Sequence, residues 1–464
     1  MKQPRLLLIL VLAIWRPELA RGTPKPLYAG FLQARGVEAL GGNPANLGLP
    51  GNPFLSLSLS EVRVGFWNSA LSTGLYNKYN GEYLTQEDKD ELLDRLRGGW
   101  RWVGEVSLLP PLFSFTVGRF GCGTFVDAGT SVSLPRAPFE FLLNGLRPGD
   151  RLDLTDMEAR SYILSGVRLA YAYVWDLRWE PLRRWGFRKV STGVGLKYIT
   201  GWAYAHAEVP EGELVMGEYY AWGKGRGLIH TAGVDTAKFE LGPSGRGFAF
   251  DLGMAAEGSK VSVGLALKNL GGRIGWRKAK VWEFSFEMDS LNVAKIDTME
   301  EAVTYSDTSY SASSFSTSYP SYLVLGVSYK LELFRGPELS RAEATPDTTR
   351  PDTTSSDSLL SPGRALLRPL PLEISLTYRQ GFSEGFGVSE RPEFIFGAEA
   401  DLLDGRLPIF LRLCLGGGDG VVWIPGFGVR LGPLRFSAAY ASRGHPFPLR
   451  GRGLELAMRL GMNI

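Results

Sequence analysis

The sequence has few of the residues on which enzyme and metal sites usually depend. It contains three histidines, His206, His230 and His445, and two cysteines, Cys122 and Cys414, among 464 residues. No histidine lies in a recognisable motif, and the cysteines form neither a metal-type pair nor a dense disulfide framework, although a single bridge between them stays open. No glycine-rich phosphate loop follows a strand and opens a helix. We therefore expect a protein that is not an enzyme and that binds neither a metal nor a cofactor.

The sequence also lacks an excess of one charge and any long apolar run beyond its N-terminus. The 51 basic and 48 acidic residues nearly cancel, and neither sign forms a block of the kind that binds nucleic acid. No uninterrupted apolar stretch reaches the roughly 18 residues that a transmembrane helix needs. Glycine is abundant, with 58 residues, and the mean hydropathy is −0.05. If this chain spans a bilayer, it does so with strands.

The first residues have the pattern of an export signal. Lys2 and Arg5 precede an apolar run from Leu6 to Trp15, and small residues follow at Ala20 and Gly22. A short membrane anchor is the alternative, but about ten apolar residues cannot cross a bilayer core as a helix. The sequence predicts a cleaved signal peptide over residues 1–22.

Most of the remaining sequence alternates between apolar residues and small, polar or charged ones, which is the period of a β-strand. The last run is the clearest, because one parity carries Leu454, Leu456, Met458, Leu460, Met462 and Ile464. Similar runs cover residues 167–179, 248–255, 261–268, 323–332, 372–379 and 409–415. The segments 248–255 and 261–268 are close enough to form a hairpin.

Alternation fits either a water-soluble β-sandwich or a membrane barrel. The export signal, about 14 alternating runs and aromatic residues near strand ends favour the barrel, whose apolar parity faces lipid. We predict an all-β fold: an antiparallel transmembrane β-barrel of about 14 strands over residues 53–464, in the bacterial outer membrane.

Three segments depart from the alternation. Residues 84–99 predict a short helix in a loop, because Thr85 can cap it, Asp88 follows three residues later and leucines form an apolar stripe. Residues 289–320, rich in Ser, Thr and Tyr, are expected to form an irregular loop. Residues 335–364, rich in Pro, Thr, Ser and Asp, are expected to be disordered, on a side of the membrane that the sequence does not assign.

Residues 23–52 precede the first strand-like run and are too broken by Gly and Pro to form a strand. Their central motif is Asn43, Pro44, Ala45, Asn46 and Leu47. Pro44 biases Asn43 toward an extended or turn conformation, and the Asn43 side chain can bond to neighbouring backbone. Such a segment can pack compactly inside a barrel lumen as a hatch.

With its Asn-Pro-Ala motif behind an export signal, the chain resembles the long-chain fatty-acid transporter (FadL) family and the related PorV-type outer-membrane proteins. Total length and the segment Lys268 to Gly272, which is similar to a recurring turn of these proteins, add to the resemblance. It implies a 14-stranded barrel with an N-terminal hatch. It also implies movement of hydrophobic molecules or, for PorV-type members, service to a secretion machine. The terminal Ile464 departs from the aromatic residue that ends many such barrels.

The inward parity of the predicted strands carries charge rather than an apolar lining. The candidate lumen residues are Arg168, Lys197, Asp251, Lys268, Glu399, Asp401, Arg412, Arg430 and Arg459. Opposite charges among them can pair and fill the barrel.

Two functions fit this sequence. The first is a passive channel, in which a hydrophobic or amphipathic solute binds in an apolar pocket above the hatch and passes when the hatch shifts. The alternative is a sealed docking barrel of the PorV kind, which holds a secreted or periplasmic protein through an exposed apolar patch at Leu92 and Leu96. In both cases the outer-membrane lipid is a partner and nucleic acid is not.

Overall fold

The two-residue alternation of the sequence becomes strands in the structure, a computed structural model that describes residues 30–109, 114–184, 186–235, 240–292, 303–333, 370–383, 385–386, 388–418 and 420–464. The strands are β1 (Leu55–Asn68), β2 (Trp100–Leu109), β3 (Ser114–Val117), β4 (Phe120–Leu134), β5 (Arg151–Asp153), β6 (Glu158–Asp176), β7 (Lys189–Met216), β8 (Tyr220–Ala232), β9 (Val234–Asp235), β10 (Glu240–Leu241), β11 (Gly245–Glu257), β12 (Val261–Asn292), β13 (Val303–Ser318), β14 (Tyr322–Leu333), β15 (Leu370–Gly381), β16 (Glu393–Leu402), β17 (Leu407–Gly416), β18 (Gly420–Leu431), β19 (Leu434–Arg443) and β20 (Gly453–Asn463).

The main sheet closes on itself, since β1 pairs with β20 as well as with β2 and β3. The sheet contains 18 strands. Both β2 and β3 pair with β1 and β4, so together they cross the membrane once. Strands β8 and β13 pair with the far part of β12 and continue the lines of β11 and β14 beyond the ring. The short β5 pairs with the far part of β7. The remaining ring has 14 antiparallel crossings, and closure leaves no unpaired strand edge in it.

The two ends of the barrel differ in the length of their connections. At the end where β1 begins and β20 finishes, here called the turn end, residues 118–119, 258–260, 403–406 and 432–433 form short turns, while the connections from β6 to β7 and from β14 to β15 at the same end are longer. At the opposite end, here called the loop end, residues 69–99 and 135–157 form much longer connections. Short turns face the periplasm and long loops face the outside in outer-membrane barrels.

The outward parity of the barrel forms an apolar surface. Val62, Val64 and Phe66 of β1 are exposed, while Arg63 and Gly65 between them point inward and are buried. Further exposed residues of this surface are Val167, Leu169, Tyr171, Tyr173, Phe248, Phe250, Leu252, Met254, Leu456, Met458 and Leu460. An apolar surface of this kind around a closed barrel is stable only in lipid. The predicted fold class and outer-membrane location are therefore confirmed.

All the described helices are short. Helix α1 (Val37–Gly41) and a 3₁₀ turn at Pro44–Gly48 precede β1, and between strands lie α2 (Thr73–Tyr79), α3 (Gln86–Arg95), α4 (Ala137–Asn144), α5 (Glu180–Arg184) and a 3₁₀ turn at Pro448–Arg450. Among the described residues, no helix is both long enough and apolar enough to cross a membrane.

The predicted loop helix is confirmed as α3. The Thr85 side chain accepts a hydrogen bond from the backbone of Asp88, and the Asp88 carboxylate accepts one from the backbone of Thr85 at 3.1 Å, which completes a capping box. Leu93 and Leu96 are buried. The apolar patch that a docking role would require on this helix is therefore largely covered.

Acid is expected to loosen the contact between α2 and α3. Hydrogen bonds from Lys78, at 2.8 Å, and from the Tyr79 hydroxyl lower the pKa of Glu91 from 4.5 to about 2. Because the folded pKa is depressed, the stabilising contribution is present above pH 4.5 and is lost as the pH falls toward about 2. We expect the hydrogen-exchange protection of α3, corrected for intrinsic rates, to drop over this range. A Glu91→Gln variant should show a smaller drop, and equal drops would contradict the assignment.

The prediction of an irregular loop over residues 289–320 is wrong for the part that the structure describes. Residues 289–292 end β12 and residues 303–318 form β13, which pairs with β12 from Met288 to Arg273. Together with β8 and the far part of β7 they form a sheet beyond the loop end of the ring. The polar composition was interpreted as a loop, but Val, Thr, Tyr and Phe favour strands once a neighbouring edge is available.

Two other predictions concern residues outside the described part of the chain. The signal peptide over 1–22 and the disordered segment 335–364 both lie there, and they stay predictions. The connection that contains the latter leaves β14 at Leu333 and re-enters β15 at Leu370, both at the turn end. Cys122 and Cys414 are not bridged.

Candidate functional site

The predicted hatch segment lies inside the barrel, as far as it is described, from residue 30 onward. Its helix α1 and the following 3₁₀ turn contact the inner wall formed by β4, β6, β7 and β11. Val37, Ala39, Leu40 and Leu47 pack against small residues of β6, Ala170 and Ala172. The whole motif from Asn43 to Leu47 is buried. An apolar segment placed in the lumen gains burial that it would lack in solvent.

Asn43 fixes both the conformation of the hatch and its attachment to the wall. Its Oδ1 accepts a hydrogen bond from the Ala45 backbone N–H at 3.0 Å, and Pro44 occupies the first position of the 3₁₀ turn. Its Nδ2 donates to the carbonyls of Met254 at 3.1 Å and Leu265 at 3.3 Å, on β11 and β12. The same side chain therefore caps the turn and joins it to two strands.

Asn46 holds the hatch together internally. Its Nδ2 donates to the carbonyls of Phe31 at 2.9 Å and Ala34 at 3.2 Å, both earlier in the hatch. Ser191 of β7 donates from its hydroxyl to the Ala45 carbonyl at 2.6 Å. The hatch thus has its own side-chain bonds in addition to its bonds to the wall.

Glycines on the inner wall make room for the hatch. A Cβ atom at Gly193 would lie 2.3 Å from the Ala45 nitrogen, and one at Gly253 would lie 1.9 Å from Asn43 Oδ1. At Gly193 only glycine permits the close approach of the two backbones, whereas at Gly253 a side chain would displace the Asn43 amide from its bonds.

Ionic contacts hold the side of the hatch that faces the turn end. Arg459 of β20 lies 2.5 Å from Glu38, and Arg35 lies 2.8 Å from Glu257 of β11. These two pairs tie the first turn of helix α1 and the turn that precedes it to different parts of the wall.

A compact charge cluster lies next to the hatch toward the loop end. Asp251 lies 2.9 Å from Lys197 and 2.6 Å from Lys268, and it accepts a hydrogen bond from the Asn269 backbone at 2.8 Å. Lys268 also donates to the carbonyl of Gly42 in the hatch at 2.5 Å. One carboxylate therefore serves two buried ammonium groups, one of which contacts the hatch.

The other candidate lumen residues also lie on the inward parity, but they do not form one continuous ladder. Arg412 is 3.6 Å from Glu399, and Arg430 is 3.2 Å from Asp401. Arg168 lies with its guanidinium 4.4 Å above the Phe125 ring, and no carboxylate of the described residues lies within 4 Å of it. The nine residues thus belong to separate groups around the wall.

A second buried charge cluster was missed by the sequence analysis. Arg63 lies 2.9 Å from Glu105 and 3.2 Å from Glu455, and Arg443 lies 3.5 Å from Glu455 and above the Trp67 ring. The rule that identified the other lumen residues, a charged side chain between two apolar ones in an alternating run, also applies here, because Arg63 stands between Val62 and Val64. Ring closure, which pairs β1 with β20, is what brings Arg63 to Glu455, whereas the contacts of Arg63 with Glu105 and of Arg443 with Glu455 join neighbouring strands.

Beyond the charge cluster, aromatic side chains fill the lumen toward the loop end. Trp276 is fully buried and pairs in register with Gly245, roughly 25 Å along β11 from Gly253. This aromatic cluster consists of Phe125, Tyr162, Tyr204, Trp276, Phe315, Tyr319 and Phe386. Ring centroids are 4.5 Å apart for Tyr162 and Phe386, and 5.3 Å for Tyr204 and Trp276.

The histidines lie apart from this arrangement. His206 Nε2 lies 2.9 Å from Glu158, and its ring is 6.3 Å from that of His230, on strands beyond the loop end of the ring. Within the described residues, no group of three or more His, Cys, Asp or Glu side chains is placed to hold a metal ion.

Comparison with known proteins gives a family and a broad likeness in structure. Residues 44–398 match the family described as "Family of unknown function (DUF5723)", and no curated protein matches the sequence. The chain is similar in structure to the toluene transporter TodX of P. putida, with 8% identity, a TM-score of 0.46 and coverage of 96% of this chain and 99% of that one.

Two further solved structures show a similar level of likeness. The Ralstonia pickettii toluene transporter TbuX has 10% identity and a TM-score of 0.42, covering 96% of this chain and 97% of that one. A Pseudomonas aeruginosa FadL homologue has 12% identity and a TM-score of 0.43, covering 97% and 99%. The FadL-like architecture expected from the sequence is confirmed by the 14-crossing barrel and its lumenal hatch. With its match to residues 44–398, the chain belongs to the DUF5723 family.

Proposed function

We propose that this protein is a passive outer-membrane channel for amphipathic molecules that combine an apolar body with an acidic group. The observation that carries the proposal is the order of features along the lumen: an aromatic cluster at the loop end, then a net positive cluster, then the hatch. A solute that enters from outside meets them in this sequence.

The aromatic cluster supplies the apolar environment. Aromatic rings provide large apolar surfaces. A ring that loses its contact with another ring can make a similar contact with the ring or chain of a solute, so the change in free energy is small. The rings are packed together here, so entry of a solute requires them to separate. A Trp276 to Thr317 hydrogen bond of 2.9 Å holds the central ring at one side.

The positive cluster supplies the site for the acidic group. Lys197 and Lys268 contact a single carboxylate, Asp251, while Arg168 has no carboxylate of the described residues within 4 Å. Arg168 is also in contact with Phe125, a member of the aromatic cluster. Guanidinium groups bind carboxylates and phosphates through paired hydrogen bonds, so Arg168 is positioned to bind the acidic end of a molecule whose body lies among the rings.

The hatch closes the route below this site. Lys268 contacts both Asp251 and the hatch carbonyl of Gly42, so an acidic group that draws Lys268 away weakens one attachment of the hatch. Binding and opening are linked in this proposal because the same ammonium group takes part in both.

Binding of matched ligands to the purified protein tests the proposal. We expect a saturated carboxylic acid to bind at least about tenfold more tightly than the alcohol of the same chain length, and Arg168→Gln to remove most of that difference. Trp276→Ala should weaken both ligands. Arg178→Gln, which alters an exposed arginine, is the control. Equal affinities for acid and alcohol, or an unchanged difference in Arg168→Gln, would exclude this site.

A further inference from the structure

A second cavity lies on the other side of the hatch, toward the turn end, and is not part of the proposed route through the aromatic cluster. Its volume is about 300 Å³. The hatch contributes Gln33, Arg35 and Glu38 to its lining, and the wall contributes side chains from β16 to β20. A volume of this size accommodates a small organic ion.

The lining of this cavity is rich in arginine. Arg35, Arg430, Arg435 and Arg459 all border it, against the carboxylates of Glu38 and Glu399. Arg459 contacts Glu38, Arg35 contacts Glu257, and Arg430 contacts Asp401. Three of the four guanidinium groups therefore have a carboxylate partner.

Arg435 differs from the other three. No carboxylate of the described residues lies within 4 Å of its guanidinium. Its Nε donates only to the amide oxygen of Asn463, at 2.8 Å, when that amide is oriented to satisfy its neighbours. The half-buried guanidinium thus has hydrogen-bond donors left over at the border of the cavity, where an anion can accept them.

We propose that this cavity binds one anionic group, a carboxylate or a phosphate monoester, with Arg435 as its main ligand and Arg430 and Arg459 beside it. The planar guanidinium fork matches both groups. Phe410 and Pro408 form an apolar part of the lining, which fits a short hydrocarbon attached to the anion. The ligand reaches the cavity from the periplasmic side, because the cavity lies at the turn end of the barrel.

The bound anion competes with part of the hatch. Arg459 borders the cavity and also holds Glu38 at 2.5 Å. An anion that engages Arg459 takes the place of the Glu38 carboxylate and weakens the contact between α1 and β20. The cavity therefore couples a periplasmic ligand to the attachment of the hatch.

Isothermal titration of the purified full-length protein with phenyl phosphate tests the site. We expect Arg435→Gln to bind about tenfold more weakly, because a charge-assisted hydrogen bond is lost. Glu38→Gln should bind more tightly, because the competing carboxylate is removed. Arg406→Gln, an exposed arginine at the same end of the barrel, should bind like the unaltered protein. Equal affinity in all four proteins, or no binding heat with the unaltered protein, would overturn the proposal.

Two further measurements distinguish a lipid headgroup from a soluble anion as the natural ligand, and test whether ligand binding in the cavity loosens the hatch. A short-chain phosphatidic acid should bind more tightly than phenyl phosphate if the natural ligand is a lipid headgroup, and more weakly if it is a soluble periplasmic anion. Phenyl phosphate should increase hydrogen exchange in residues 36–48 of the unaltered protein. Unchanged exchange at saturating ligand would contradict the coupling to the hatch. Phenyl phosphate also has the features of a channel ligand, so the effect of Arg435→Gln assigns the heat to this cavity, because Arg435 lines the cavity and is not part of the proposed channel site.

Discussion

Replacement of Gly193 by valine is expected to displace the hatch and open the barrel. A Cβ at this position would lie 2.3 Å from the Ala45 nitrogen and 2.4 Å from the Pro44 carbonyl carbon, and valine adds two methyl groups to that clash. The wall strand β7 is paired on both edges, so it cannot move away easily. We therefore expect the hatch, rather than β7, to move away from the contact.

Displacement of the hatch would break its attachments together. The Ser191 bond to the Ala45 carbonyl and the Asn43 bonds to Met254 and Leu265 depend on the same backbone position. Overpacking of a buried contact costs about 1–3 kcal/mol, and each lost hydrogen bond adds about 1 kcal/mol. The expected sum is large enough to favour the open form of the lumen over the closed form.

Conductance in planar lipid bilayers measures this effect. In a Trp276→Ala background, which loosens the aromatic cluster above the hatch, we expect at least a tenfold higher ion conductance for Gly193→Val than for Trp276→Ala alone, with the barrel itself still folded. Gly275→Val is the matched control, because a Cβ at Gly275 meets only the Arg246 carbonyl oxygen at 3.9 Å. Normal protection of residues 43–48 in Gly193→Val would contradict displacement of the hatch, and a closed barrel in which these residues have lost their protection would show that the hatch does not close the lumen.

Replacement of Asp251 by alanine is expected to produce the largest loss of stability among single charge changes in the lumen. Its carboxylate is the partner of both Lys197 and Lys268, at 2.9 Å and 2.6 Å, and all three side chains are buried. Removal of the carboxylate leaves two buried ammonium groups close together without a counter-ion. Breaking a buried pair in this way costs about 3–5 kcal/mol.

Urea unfolding in lipid vesicles measures this loss. Asp401→Ala is the control, because the pair of Asp401 and Arg430 is about one-third exposed and is worth about 1 kcal/mol or less. The double variant Asp251→Ala/Lys197→Met should recover part of the stability, since it removes one of the two uncompensated charges. If Asp251→Ala and Asp401→Ala lose the same stability, the cluster is better solvated than its burial indicates.

The strands, their inward faces and the loop helix follow from local chemistry and could be predicted. Alternation in β20 separates Leu456 and Met458 from Glu455 and Arg459, and in lipid only one parity can face outward. Thr85 and Asp88 identify the start of α3 because a capping box is a short-range contact. The hatch motif was recognisable because Asn43 and Pro44 restrict their own backbone.

Other features could not be predicted, because they depend on contacts between distant parts of the chain. Residues 303–318 look like a polar loop in isolation, and they form β13 only because β12 offers an edge. Glu38 meets Arg459 and Arg63 meets Glu455 across some 400 positions of sequence only once β1 pairs with β20.

The sequence by itself determined that the chain forms membrane-spanning strands, which residues face inward and that Asn43 and Pro44 set a compact turn, because these depend on period, polarity and backbone restriction within a few residues. Tertiary structure alone decided which inward charges pair, that Gly193 and Gly253 receive the hatch, and that Arg168 and Arg435 have no carboxylate of the described residues within 4 Å. The physical reason is that strand tilt and ring closure set the neighbours of each inward side chain, and neither is encoded in any short stretch of the sequence.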